Sequence, residues 1–297
     1  MSGTEMLETS SPPIWDLEGR PFRPDRPLQR IVSLVPSLTE TLFELGLGDR
    51  VVGRTDYCRH PPEAQSIPSV GGTKNPDLAR IQALCPDVVF VNVEENRRSD
   101  ALALAAGGIP VAVSFPRSVR EAIALIRWLA GIFELRAPPV LEEIEALYAE
   151  RCRAGPARRP RVFCPIWRDP WMTFNAETYA HDLLVLCGGE NVFARRRRRY
   201  PLSADLNPAL PARPADRDHR YPRLSTEEIR AAEPELILLP DEPYPFRPED
   251  TGWVRALFAD TPAGRAGRVR WIEGSLLFWH GTRLRHALRI LPQALAD

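Results

Sequence analysis

Short apolar runs alternate along the chain with amphipathic stretches, and the alternation is regular enough to predict its elements. Arg30-Ile31-Val32-Ser33-Leu34-Val35 reads as a buried strand. Pro36 and Ser37 interrupt it, and residues 39–45 carry helical spacing behind a hydroxyl cap. Gly46 and Gly48 close that helix, and Val51-Val52-Gly53 opens the next strand. Residues 77–84 read as a short helix ended by Pro86, and 87–93 (DVVFVNV) as a strong strand. A helix over 99–106 and a strand over 110–114 follow. Such alternation predicts a mostly parallel sheet with flanking helices.

Residues 118–153 show no strand signal. Ile123, Ile126, Trp128, Leu129 and Ile132 give helical spacing over 119–135, Pro138-Pro139 interrupts it, and 140–152 continue helically. This reads as a nearly continuous helical connector. Strand–helix alternation resumes at Arg161-Val162-Phe163. The second half then repeats the first weakly. LARIQALCPDVVFV (78–91) lines up with EEIRAAEPELILLP (227–240), and ETLFELGLGDRVVG (40–53) with HDLLVLCGGENVFA (181–194). Self-similarity on this scale predicts two lobes of one topology. The expected organisation is an irregular tail (1–28), an α/β lobe (29–117), a connecting helical segment (118–155) and a second α/β lobe (156–297). Such a pair, bridged by a long helix, is expected to hold a ligand in a cleft between the lobes, at the carboxyl ends of the strands.

Composition narrows the function classes. Formal net charge is zero, with 39 basic and 39 acidic residues, so nothing global favours nucleic acid or an anionic membrane as partner. The run Arg195 to Arg199 lies in a proline- and arginine-rich stretch (195–221) that reads as a solvated loop. No apolar stretch is long enough to cross a bilayer, and the polar first 30 residues contain no apolar signal core, so a cytoplasmic chain is expected, or a periplasmic one if translation starts upstream of a signal. Five cysteines (Cys58, Cys85, Cys152, Cys164, Cys187) with no CxxC fit free thiols better than a disulfide framework. Of the 39 basic residues one alone is lysine, Lys74, which suggests a compact ammonium is wanted there.

The quoted motifs match a known family. R-I-V-S-L-V-P-S-L-T-E-T, then V-V-G-R-T-D-Y-C-R-H-P-P, then the L-x-R-I-x-A-L-x-P-D-V-V-F-V segment and C-G-G-E-N-V-F (187–193) resemble the helical-backbone substrate-binding proteins of cobalamin, iron-complex and metal uptake. The resemblance runs over roughly residues 29–292. It implies two lobes on a rigid helix, a ligand in the interlobe cleft, and delivery to an ABC transporter permease by a monomeric protein. It also implies that Tyr57 lines the cleft. The resemblance places one docking glutamate per lobe, early in the short helix before the Pro-acid strand. The second-lobe position holds Glu227, the first-lobe position Ala79 with Asp77 nearby, so half of that device is missing.

Several positions carry candidate chemistry. Gly71-Gly72-Thr73-Lys74-Asn75 is a loop able to aim amides, Thr73, Lys74 and Asn75 at an anionic or carbonyl group. Glu94 and Glu95 follow one strand, and Glu242 stands at the equivalent place in the repeat, acids suited to a cation or to the amides of a corrinoid. Trp167, Asp169, Trp171, Tyr200, Tyr221, Phe246 and Trp279, on or beside loops, suit a flat, partly apolar ligand. Cys58 and His60, with His280, are candidate metal ligands. The expectation is reversible binding of a corrinoid or chelated metal without chemistry. A divalent-metal binder and a cytoplasmic sensor or carrier are the alternatives, and an enzyme using Cys58 as nucleophile is disfavoured because GxSxG, HExxH, Walker and GxGxxG motifs are all missing.

Overall fold

The computed structural model describes residues 13–154, 158–207 and 209–296. The chain divides into two compact units: residues up to Ala146 with His280–Arg285, and Leu147–Trp279 with His286 onward.

The first unit is built on a five-stranded sheet ordered Ile14–Trp15, Val111–Ser114, Val88–Asn92, Ile31–Ser33, Val51–Arg54. All neighbours are parallel except the first pair. Val88–Asn92 is buried at every position, as an apolar run in the middle of a covered parallel sheet should be. Val32, Leu34, Val89, Val91, Leu104 and Val111 form the centre of the core on one side of the sheet. Asp77 caps the Leu78–Ala83 helix, accepting the Arg80 amide at 2.9 Å. Ser118 caps Val119–Ile132 through the Glu121 amide at 3.2 Å.

Three sequence expectations change here. Pro36 does not separate strand from helix. It starts the Pro36–Glu44 helix, where its missing N–H costs nothing and its fixed φ is already helical. The expected irregular tail is ordered in its described part. Ile14–Trp15 pairs antiparallel with Val111–Ser114, and Ile14, Phe22 and Leu28 are buried. Without that pairing Val111–Ser114 would be a bare sheet edge. Residues 1–12 lie outside the described residues. The connector is two helices, Val119–Ile132 and Pro139–Arg153, with Glu134 and Ala137 at positive φ between them. The Leu135 amide turns back to the Ala130 carbonyl at 2.8 Å, and Pro138 and Pro139 supply no N–H to continue the ladder. The division between the units falls within Pro139–Arg153, after Ala146.

The second unit carries a parallel sheet ordered Glu190–Asn191, Arg161–Phe163, Leu236–Pro240, Val269–Ile272. Its core gathers Phe163, Trp171, Phe193, Ile237, Leu239, Phe246 and Phe258. The strand order repeats that of the first unit, and the repeat extends to single hydrogen bonds. Cys85 and Glu233 both take positive φ, 45° and 43°, immediately before Pro86 and Pro234. The Arg30 side chain donates to the Leu84 carbonyl at 2.6 Å, as Arg161 does to that of Ala232 at 2.7 Å. Asp87 accepts the Arg30 amide at 2.8 Å, as Glu235 accepts that of Arg161 at 3.1 Å. Gly46 and Gly188, each past the end of a matched helix, sit at φ 76° and 101°.

The 195–221 stretch is more constrained than a solvated loop. It contains the Leu202–Leu206 helix. Asp205, fully buried, pairs with Arg196 at 2.9 Å and accepts the amides of Arg199 and Arg223. Arg196 also meets Glu228 at 2.6 Å, so one member of the arginine run is a structural tie.

Candidate functional site

The carboxyl ends of the first unit's strands are unusually polar for a buried region. Ser33, Thr55, Asn92 and Ser114, at or just past the ends of four parallel strands, are all buried. Asn92 organises them. Its Oδ1 accepts the Glu94 amide at 2.8 Å, which fixes its Nδ2 toward Ser114 Oγ (3.3 Å) and His280 Nε2 (3.1 Å). An amide nitrogen is a donor, so Nε2 must accept and the proton belongs on Nδ1, which faces Ser37 Oγ at 3.5 Å. Burial pushes the His280 pKa down to about 4. His280 therefore serves as a neutral link in a hydrogen-bond network.

Above this floor lie the predicted loop residues. Gly71–Gly72 and Asn75–Pro76 form a small antiparallel pair, with Gly71 at φ 91° and Lys74 and Asn75 exposed at its turn. A side chain at Gly71 would be strained by that φ and crowded by the Asn75 carbonyl. Asn96 ties the loop down, donating to the carbonyls of Leu34 (3.1 Å) and Thr73 (3.0 Å). Lys74 donates to the backbone carbonyl of Glu94 at 2.5 Å, not to its carboxylate. Loss of hydration raises the Glu95 carboxyl pKa, and Glu94 adds to the rise while Lys74 opposes it. Tyr57 stands 54% exposed and Val93 48% exposed, both past strand ends.

Cys58, between them in sequence, is fully buried with its Sγ 3.0 Å from Thr39 Oγ1 and 3.3 Å from Thr55 Oγ1. Burial pushes its thiol pKa up, which disfavours the thiolate form. Among the described residues no group of three or more His, Cys, Asp and Glu is placed to hold a metal ion. The set Cys58, His60 and His280 is thus not assembled into a metal centre, because two of its members are spent on internal hydrogen bonds.

In the second unit the predicted aromatics separate into three groups. Trp167, 44% exposed, meets Tyr244 edge to face at 5.5 Å. Asp169 is exposed and pairs with Arg168 at 3.0 Å. Glu242 sits past Leu236–Pro240, packed against Gly274, where an added Cβ would lie 2.5 Å from its Cγ. Trp279 is half-buried, its carbonyl 3.5 Å from the Tyr179 hydroxyl. Trp171 and Phe246, expected to line the ligand, are core residues instead, 8% and 1% exposed and stacked at 6.3 Å. Tyr200 and Tyr221 belong to the 195–221 stretch. Tyr200 packs on His219 at 5.4 Å beneath Arg198 and Arg217, and Arg220 lies over Tyr221. Aromatics on a proline-rich segment look ligand-facing in sequence, but such a segment needs a local core of its own.

Sequence reasoning missed Asn92, Asn96 and Ser114. Asn92 had a legible signal, since a polar residue ending the DVVFVNV strand must find buried partners at a carboxyl end. The contact between Asn92 and His280, 188 residues apart, had none.

A duplicated unit of parallel sheet, with polar and aromatic loops at the strands' carboxyl ends, is the architecture of the substrate-binding-protein class. The chain belongs to the periplasmic binding protein family, whose sequence model matches residues 31–275. It is 34% identical over 178 residues to the vitamin B12-binding protein of Salmonella choleraesuis, covering 58% of this chain and 65% of that one. To the vitamin B12-binding protein of Yersinia pestis (strain Pestoides F) it is 29% identical over 184 residues, 60% of this chain and 65% of that one. The chain thus spans just under two thirds of the length of these relatives. Among solved structures, the periplasmic vitamin B12 binding protein of Vibrio cholerae shares the fold with a TM-score of 0.70 at 21% identity, over 91% of this chain and 97% of that one. A periplasmic heme-binding protein from Roseiflexus sp. RS-1 does so with a TM-score of 0.69 at 24% identity, over 90% and 98%.

Proposed function

We propose that the chain binds a corrinoid, or a chelated metal of related chemistry, reversibly and without altering it, through the carboxyl-end loops of its strands. The carrying observation is where its large apolar side chains are left exposed. Of the seven exposed among the described residues, Tyr57 and Val93 in the first unit and Trp167 in the second stand at strand carboxyl ends, while Leu102, Leu210, Trp271 and Ile290 are scattered elsewhere. Exposed aromatics cost hydrophobic free energy unless a partner covers them, and a broad, partly apolar ring system is such a partner. Lys74, Asn75, Glu94 and Glu95 add donors and acceptors of the kind that amide-bearing or carboxylate-bearing peripheries need. Support also comes from relatives named for vitamin B12 binding.

The role is that of the ligand-binding component of ABC-type uptake, or of a relative that keeps the fold outside it. Glu227 is exposed in the first turn of Thr226–Ala231, at the position that Ala79 holds in Leu78–Ala83. Docking to a permease would then be carried by the second unit.

Calorimetric titration with cobalamin and cobinamide, beside haem and zinc, tests the reading. Expected are a Kd in the micromolar range or tighter for a corrinoid, recovery of unchanged ligand, and a loss of about tenfold in Tyr57→Ala and in Trp167→Ala, the scale of one aromatic contact. Silence toward every macrocycle, or consumption of the ligand, refutes it.

A further inference from the structure

A cavity lies in the first unit, with Asn92, Val93 and Asn96 in its lining but not Tyr57, Thr73 or Lys74. Its volume is about 180 Å³. It opens where the Arg98–Ala106 helix crosses the Val88–Asn92 and Val111–Ser114 strands, and the N-terminal arm closes it. Trp15, Leu17, Val91 and Val113 make an apolar wall. Arg97 and Arg98 stand at its rim, both exposed. Neither takes part in an ion pair among the described residues. The acid of this cavity, Asp16, is already matched: Arg20 meets it at 2.8 Å and two backbone amides donate to it. The cavity therefore presents unbalanced positive charge above a hydrophobic pocket.

From this we infer that the first unit holds a separate site for a small monocarboxylate with an apolar body. Size sets the class. A dry cavity of about 150 Å³ accepts benzene, so this one accepts a single aromatic ring or a branched chain of similar bulk, and excludes a macrocycle. Charge sets the orientation. The carboxylate lies at the rim, where a guanidinium offers a charge-assisted bidentate pair, and the body points to Trp15 and Val113. The arm residues 13–28 thus acquire a role beyond covering a sheet edge. The inference does not rest on the corrinoid reading: Val93 lines this cavity and is also among the side chains invoked there, but Arg97, Arg98, Trp15 and Val113 are not.

Benzoate is the probe, with benzyl alcohol as its uncharged counterpart of similar shape, followed by amide chemical shifts of the full chain. Benzoate is expected to bind saturably in the millimolar range or tighter and to shift the amides around Val91, Arg98 and Val113. Benzyl alcohol should bind at least tenfold more weakly, the weight of one charge-assisted hydrogen bond at about 1.4 kcal/mol per decade. The double variant Arg97→Gln/Arg98→Gln, at exposed positions that leave the fold intact, should lose binding by a similar factor. Tyr57→Ala and Trp167→Ala should leave benzoate binding unchanged. Absence of saturation overturns the inference. So does equal binding to the glutamine variant, or loss of binding in the Tyr57 and Trp167 variants instead.

Discussion

Arg283 offers the sharpest test of how the first unit is closed. The segment His280–Arg285 comes from the end of the chain yet belongs to that unit. Arg283 forms an ion pair with Glu40, donating from Nε to Oε2 at 3.0 Å with Nη2 2.8 Å from Oε1. The two side chains are only 9% and 5% exposed. Beside them the Thr282 amide donates to Thr41 Oγ1 at 3.1 Å, and Gly281 at φ 97° brings the backbone so close that a Cβ would lie 2.2 Å from that oxygen. Replacing Arg283 by methionine keeps the apolar stem and removes the guanidinium from Glu40. Removing one partner of a buried ion pair costs about 3–5 kcal/mol. Replacing both Arg283 and Glu40 by methionine removes that penalty and should restore stability to within about 1 kcal/mol of the parent. Amide hydrogen exchange of the Pro36–Glu44 helix is the assay, because global melting of a two-unit chain is not a single transition. The single variant should speed exchange there by two orders of magnitude or more, and the double variant should reverse most of it. A single variant that changes exchange by less than fivefold would show that the pair is worth no more than a surface ion pair. The account of the segment would then fail.

Two further outcomes are expected. His280 has a native pKa near 4, below its ordinary value of 6.5, so the unfolded chain binds more protons between them. Stability of the first unit is therefore complete above about pH 6.5, falls as pH drops through that window, and levels off below about pH 4, by at most roughly 3 kcal/mol. Denaturation midpoints followed against pH should show this slope and lose it in His280→Gln; an unchanged slope in the variant refutes the assignment. Asp205→Ala removes the acceptor of Arg196 and of the Arg199 and Arg223 amides, so trypsin should cut after the arginines of 195–199 at least tenfold faster. An unchanged cleavage rate would mean that Glu228 alone holds the stretch.

Much of the fold was legible because it is written in local terms. A strand covered on both faces must be apolar throughout, so DVVFVNV and LILLP stand out. The two quoted repeats corresponded to matching elements because each carries the same stop: a positive-φ residue before a proline, and a glycine past a helix. The candidate site was less legible. Tyr57 and Trp167 are exposed, whereas Trp171 and Phe246, equally aromatic and equally near loops, fill the second core. Sequence proximity to a strand end does not say to which side of the sheet a ring turns.

By itself, then, the sequence determined the parallel α/β character, the duplication and the capped helices, since hydrophobic period, turn residues and caps act within a few positions of the chain. Only the tertiary structure decided that the N-terminal arm completes the first sheet, that His280 and Arg283 close a unit some 240 residues upstream, and that Cys58 is a buried thiol. Those are long-range matters. A buried polar group must find its partner wherever the fold brings one, and nothing in the neighbouring residues names that partner.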